Sequence, residues 1–431
     1  MTIILGGGSL WTGWSAVGDV SPIGVAGVGS SVWEAEPLGP ITMADYMSCD
    51  ATPDDLGIDR PSLGYDHRAW YVSAPTVATT LVPPPVFTDS LNNFFYIVTK
   101  PPTPFSVVQI GSESFRSSFN GQFLDCFRKS GVPGKEGREA AFAAIHHSDS
   151  PENHPPAAYF VGIALQRRDG QIFVPGACGE PLKGLLRLYA ISDPLDELPI
   201  DNPDGDRELW FYDLAVPCFD PDTINVPDIS GETFVGGDGR VTSAEWREVD
   251  GQQLLYVCHT ITKSIPVESQ MHTSLPQARV RWYVIDTRGW PDSGQSPLLQ
   301  DFGEIDAGVV DVGDEDVEER PVHLVYPALA SNEFGGLAFA MAQTSEAERL
   351  SIQVTGRIVT DPPGTVKPLA LIRTSDQEGP IAGDEFGDYF GVASDSVDAT
   401  FWAFGGYVSN VFDQVAQGYR WGTFFRHFGV Q

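Results

Sequence analysis

A chain of 431 residues sets 58 Asp or Glu against 26 Lys or Arg, a formal net charge of −32. A surface this acidic repels phosphate backbones and anionic lipid, and no apolar run reaches the length of a spanning helix, so nucleic acid and membrane insertion are excluded as roles. The 45 glycines and 34 prolines are spread without a short period and punctuate turns between short strands. Three readings suit the acidity: screening in high salt, binding of divalent cations, or plain solubility.

Residues 1–40 are Gly-rich and hold Trp11, Trp14 and Trp33; they read as an interaction arm or as the first strands. The opening MTIILGGGSLWTGW lacks the basic start and longer apolar stretch of a secretory signal, and its GGGS is no phosphate loop because no GK[ST] follows. Unless a signal has been removed, the chain is expected in the cytoplasm or leaves by another route, such as release with a phage particle. Residues 41–431 form the main domain. A short helix is expected near Met43–Met47 and a two-turn helix over Gly137–Ile145. Strand-like runs dominate the rest: Ala69–Ala74, Phe94–Thr99, Ala158–Leu165, Leu209–Leu214, Gln253–His259, Ala278–Ile285, Gly336–Met341, Ser351–Val359 and Thr400–Tyr407. Many strands without alternating helices mean an all-β sandwich, barrel or propeller.

A loose repeat chooses among these. Ser62–Ala74, Ser243–Thr260, Tyr326–Thr344 and Tyr389–Tyr407 each run strand, acidic or Gly/Asn turn, then an aromatic-rich strand ending in small residues. A pair of sandwiches would not require that recurrence. Blades of roughly 40–50 residues allow six or seven four-stranded blades of a β-propeller, its ring closed by N- and C-terminal strands. The stretch 112–230 fits poorly and reads as insertions.

At these residues the chain resembles the sialidase-like propellers with Asp-box-type (BNR) repeats. The likeness lies in Gly236–Thr260, Arg279–Thr287, Tyr326–Ile358, Gly383–Tyr407 and the closing YRWGTFFRHF. It is clear over residues 230–431 and weak over 60–110. The family implies a fold rather than an activity, and its proteins are often found outside the cell; the sequence itself suits an extracellular or virion-surface setting. The Asp box reads Ser-x-Asp-x-Gly-x-Thr-Trp; here Ser394–Phe401 puts Ser396 and Asp398 where Asp and Gly are expected.

A sialidase needs an arginine triad for the sugar carboxylate, a tyrosine nucleophile with a glutamate, and an aspartate acid/base. The resemblance would supply Arg240, Arg281 and Arg357, Tyr389 beside Glu385, and Asp238 or Asp388. The competing reading has the arginines tying blades together and Tyr389 in the core. Calcium is the expected metal, on the acidic turns holding Asp201, Asp204 and Asp206 and holding Asp384 and Asp388, though neither has EF-hand order. Val310–Glu319 is a further acid run. His146, His147 and His154 with Asp149 and Glu152 gather ligands in one loop but match no zinc spacing. Trp11, Trp14, Trp33, Trp290 and Trp421 lie near loop residues, where indole faces suit sugars or partner proteins; packing between blades competes.

The five cysteines, Cys49, Cys126, Cys178, Cys218 and Cys258, form no CxxC pair. Most read as small core residues, with one structural disulfide if the protein is exported. Whether Cys126 and Cys178 meet stays open. No GxSxG, HExxH, Walker or Rossmann pattern occurs. The expectation is a non-enzymatic binding or structural propeller that contacts a glycan or protein and requires no cofactor. The alternatives are a sialidase-like hydrolase and a structural subunit of an assembly such as a virion.

Overall fold

Strand propensity and turn chemistry decide the architecture. The computed structural model describes residues 2–6, 9–15, 33–40, 56–58, 62–66, 69–80, 86–99, 115–116, 143–144, 146–147, 155–163, 166–168, 171–173, 184–192, 209–219, 225–231, 233–236, 239–269, 273–313, 317–378, 390–414 and 418–430. Among these residues every regular element is a strand, and no helix is long and apolar enough to cross a membrane. All nine expected strand runs fall in or overlap strands. Of the helix expected over Gly137–Ile145, Ala143–Ala144 is instead a strand, paired with Phe160 and Val161, so sheet pairing overrides the Ala-rich helical pattern there; residues 137–142 and 145 lie outside the described residues. Met43–Met47 lies outside the described residues.

β1 (Thr2–Gly6), β2 (Ser9–Ser15) and β3 (Trp33–Pro40) form an antiparallel three-stranded sheet. β4 (Leu56–Ile58) and β5 (Ser62–Tyr65) both pair with β6 (Ala69–Thr80), followed by β7 (Val86–Thr99) and β8 (Phe115–Arg116). The next sheet runs β9 (Ala143–Ala144), β11 (Ala157–Ile163), β14 (Gly184–Ser192), β15 (Leu209–Val216) from edge to edge. Between its strands come β10 (His146–His147) and the hairpin of β12 (Gln166–Arg168) and β13 (Gln171–Phe173). The hairpin of β16 (Asn225–Pro227) and β17 (Thr233–Val235) then leads to β18 (Val241–Val249), β19 (Gln252–Pro266), β20 (Ser274–Asp286) and β21 (Leu298–Ile305), with β10 parallel to β18. The hairpin of β22 (Val309–Asp311) and β23 (Glu319–Pro321) precedes β24 (His323–Ser331), β25 (Leu337–Thr344), β26 (Ser351–Arg357) and β27 (Ala370–Thr374). The last sheet is β28 (Gly391–Ser394), β29 (Phe401–Asp413) and β30 (Gly418–Phe428).

The four repeated segments correspond to the hairpins β5–β6, β18–β19, β24–β25 and β28–β29. One strand of each of five successive sheets lies beside one strand of the next: β5 by β9, β9 by β18, β18 by β24, β24 by β28. Neighbouring sheets therefore touch through these strands, and their side chains pack between them. Alternation along each strand feeds two different interfaces. On β18, Ala244 and Trp246 face the β11–β14–β15 sheet with Tyr159, Leu188 and Tyr283 nearby. Across β19, Tyr256 and Cys258 face the β24 sheet with Trp282, Phe339 and Met341. Phe401 and Ala403 then close the gap between the β24 sheet and the last one.

Candidate binding surface

The segment resembling an Asp box is the turn between β28 and β29. Asp395 and Thr400 close it, with the Asp395 amide donating to the Thr400 carbonyl at 2.8 Å. The carboxylate that holds the turn is Asp395, which accepts the Val397 amide and the Trp402 indole N–H, each at 2.9 Å. Those donors, the indole first, hold the Asp395 carboxyl below the usual carboxylate range. The left-handed residue is Ala399, at φ 57°. Both the turn carboxylate and the left-handed position therefore differ from the box pattern, which expects them at Ser396 and Asp398. Asp398 accepts the Thr400 amide at 3.1 Å and also the Thr400 hydroxyl.

The turn fixes the orientation of an aromatic surface. Phe401 and Ala403 point into the core, so the alternate residues Trp402 and Phe404 point away. Across the strand pair Trp402 faces His427, and Phe404 faces Phe425. The ring centroids are 4.8 Å and 5.1 Å apart in the two pairs. Trp402 is 47% exposed and Phe425 62%. Two residues along a strand span about 6.6–6.8 Å, so the pairs make a two-by-two aromatic platform. Its hairpin end carries polar groups: His427 Nε2 lies 3.9 Å from Asp395, 3.8 Å from Asp398, and beside the Thr400 hydroxyl. Ligand atoms of Asp395, Asp398 and His427 fall within 4.8 Å of one another, a donor set suited to zinc or a similar ion. Every one of those groups already has a hydrogen-bonding or ionic neighbour in the turn, so the turn needs no ion to hold it.

Directly behind the turn is a buried polar node joining three sheets. Glu245 on β18 accepts the Ser331 amide at 2.9 Å and the Ser331 hydroxyl at 3.0 Å from β24. Arg247 pairs with Glu245 at 3.0 Å and reaches the Ser394 hydroxyl on β28 at 3.3 Å. Burial pushes the Glu245 carboxyl up, opposed by the Arg247 charge and the Ser331 donors.

The arginines proposed as a triad do not converge. Arg281 is buried and donates to the Pro217 and Cys218 carbonyls at 2.9 and 2.8 Å and to Glu304. Arg357 pairs with Asp301 and lies 5.0 Å over the ring of Trp282. Trp282 and Arg281 are successive residues of β20, so the two guanidinium groups sit on opposite faces of one sheet. Arg240 is part-buried ahead of β18. Trp290 is corrected from a loop-exposed indole to a core one. It is buried, stacks on Tyr159 at 6.1 Å, and accepts the Tyr159 hydroxyl through its carbonyl. Trp421 is partly buried against the core cluster that includes Val325 and Tyr326. Cys218 is disulfide-bonded, and Cys258 is a buried free thiol.

His146 and His147 form β10, in register with Glu245 and Trp246. Trp11, Trp14 and Trp33 belong to β2 and β3, with only their backbone described. Asp238, Glu385, Tyr389, Asp201, Asp204, Asp206, Asp384, Asp388, His154, Asp149 and Glu152 lie outside the described residues, as do Cys49, Cys126 and Cys178. Trp402, His427, Asp395 and Glu245 were not singled out by the sequence. The alternation in TFWAF shows that Phe401 and Trp402 face opposite ways, but not which of them meets the core.

No protein-family model matches the chain, and no curated protein matches it. Among solved structures, a protein of unknown function from Dyadobacter fermentans is 10% identical, with a TM-score of 0.34 over 83% of this chain and 77% of that one. A levansucrase mutant from B. megaterium is 9% identical, with a TM-score of 0.35 over 86% of this chain and 82% of that one.

Proposed function

We propose that the chain is a non-enzymatic carbohydrate-binding module of propeller-type build, with a neutral glycan lying along the aromatic platform of the last sheet. The observation that carries this reading is the Trp402–His427 and Phe404–Phe425 grid, with the Trp402 ring held by Asp395. Aromatic faces stack on the apolar faces of sugar rings, and a ring fixed beforehand loses little entropy on binding. Asp395, Asp398 and His427 at the platform's end supply acceptors for sugar hydroxyls. The net charge of −32 favours neutral over anionic sugars. Five successive sheets that touch strand to strand read as blades around an axis, and an extracellular or particle-surface setting suits the role. The sialidase alternative needs three guanidinium groups on one carboxylate, and Arg281 and Arg357 sit on opposite faces of β20.

The test is retention on an array of neutral and sialylated glycans, reading released sugar in parallel. The expected result is retention on neutral chains, lost in Trp402→Ala and unchanged in Leu371→Ala, an exposed residue on β27. Retention that ignores Trp402→Ala overturns the platform, and release of sugar overturns the non-enzymatic reading.

A further inference from the structure

We infer a second docking surface, adjoining the platform's polar end, at the hairpin tips of the last two sheets, fitted to a cationic amphipathic segment of a partner protein. Turn tips normally carry Gly, Asn, Asp or Ser, because the backbone there needs unusual angles or side-chain caps and solvent surrounds it. Three tips here carry large apolar residues instead. Phe334 in the β24–β25 turn is 66% exposed, Val359 after β26 is 62%, and Val397 in the β28–β29 turn is 90%. None of the three is needed to fill the core, since all point outward.

They belong to one surface. A Cβ on Gly335, beside Phe334, would lie 3.1 Å from the Val359 side chain. Asn332 binds the Phe334 and Gly336 amides through its side-chain oxygen at 3.1 and 2.8 Å, and its NH2 donates to the Ala399 carbonyl at 2.9 Å. That one amide joins the Phe334 turn to the Val397 turn. The tips are thus preorganised, and single exposed residues scattered over a surface would show no such linkage.

Charge selects the occupant. Exposed Asp250, Glu333 and Asp398 rim the tips, with Asp395 and Asp361 behind them. The nearby cations are engaged: Lys367 pairs with Asp361 at 2.9 Å, and Arg357 pairs with Asp301. His427 lies at the edge, 3.8 Å from Asp398. An apolar patch with an acidic rim repels a second copy of this chain and complements Lys or Arg flanking apolar side chains.

The experiment is fluorescence anisotropy of the full chain with a synthetic amphipathic helix of Lys and Leu, and with the same peptide carrying Ser for Leu. The expected result is preference for the Lys/Leu peptide, weakened at least about tenfold in the triple variant Phe334→Ser, Val359→Ser, Val397→Ser. Val397→Ser alone, at the most exposed position, gives a partial loss and guards against misfolding of the triple variant. Neutralising Asp250 and Glu333 as Asp250→Asn, Glu333→Gln flattens the salt dependence. Glycan retention stays unchanged in all these variants, because Trp402, Asp395 and His427 are intact. Equal binding of the two peptides, or no loss in the Ser variants, reduces the effect to bulk charge and overturns the inference. A concentration-dependent dimer that the triple variant abolishes assigns the surface to a second copy and overturns it as well.

Discussion

Replacing Arg247 by Ala tests whether the polar node holds the sheets together. The substitution removes the 3.0 Å pair with Glu245 and the 3.3 Å bond to Ser394, so β28 loses this tie to β18. Glu245 keeps only the Ser331 amide and hydroxyl. Removing one partner of a buried pair costs about 3–5 kcal/mol, and the partial exposure of Arg247 puts the expectation at about 3 kcal/mol. The loss also depends on pH. Burial raises the Glu245 carboxyl in the folded protein, and removing Arg247 raises it further. A carboxyl raised on folding favours the protonated form, so its folded-state penalty is absent below the ordinary glutamate range and grows as pH rises through the folded pKa. The variant's deficit is therefore largest near neutrality and shrinks in mild acid. Urea unfolding at about pH 7 and about pH 4 measures both. Adding Glu245→Gln to Arg247→Ala recovers much of the neutral-pH loss, because no unpaired charge remains buried. A deficit below about 1 kcal/mol, or one that is flat with pH, refutes the reasoning.

Three further outcomes follow from the same geometry. Buried His259 donates from Nδ1 to the Gly239 carbonyl at 2.8 Å and accepts the Tyr283 hydroxyl at 2.9 Å, and burial lowers its pKa from 6.5 to about 3. Its contribution is therefore present above about 6.5 and lost as pH falls toward 3, and His259→Gln flattens that part of a stability-versus-pH curve. Arg357→Ala removes the cation beside Asp301 and uncovers Trp282; a double-mutant cycle with Asp301→Ala is expected to show coupling of about 1–3 kcal/mol in urea titrations. Burial pushes the Cys258 thiol well above the usual range, so a thiol reagent labels it only under unfolding conditions; rapid labelling of the native chain at this residue refutes its placement in the core.

The parts of the fold legible in the sequence are those set by local pattern. Runs such as Ala278–Ile285 alternate and are β-branched or aromatic, and they form strands wherever described. The repeated segments were recognisable because each first hairpin meets the same demands: an acidic or Gly turn outside, and small residues where sheets approach closely. The parts that were not legible depend on distant partners. Arg281 finds two carbonyls more than 60 residues away in sequence, and Arg357 finds Asp301 across a sheet gap. Trp290 lies within a turn like a loop residue, yet Tyr159 covers it from another sheet. GREAAFAAI has helical spacing, but Phe160 and Val161 offer Ala143 and Ala144 an edge to pair with. Box spacing around Ser394 pointed to a turn at the right place; it could not tell which aspartate would hold it.

The last sheet has only three strands, so among the described residues no strand pairs with the outer edge of β30. An 11-residue strand with several aromatics and no strand beside it among those residues is a template for another chain. Arg420, Arg426 and His427 are spaced along it, and the chain's large negative charge keeps copies apart. Acid removes the second safeguard, because carboxylates neutralise while the strand keeps its aromatic side chains. Fibre or precipitate formation in mildly acidic solution would therefore begin at this strand, and Lys at Thr423 would delay it without touching the core.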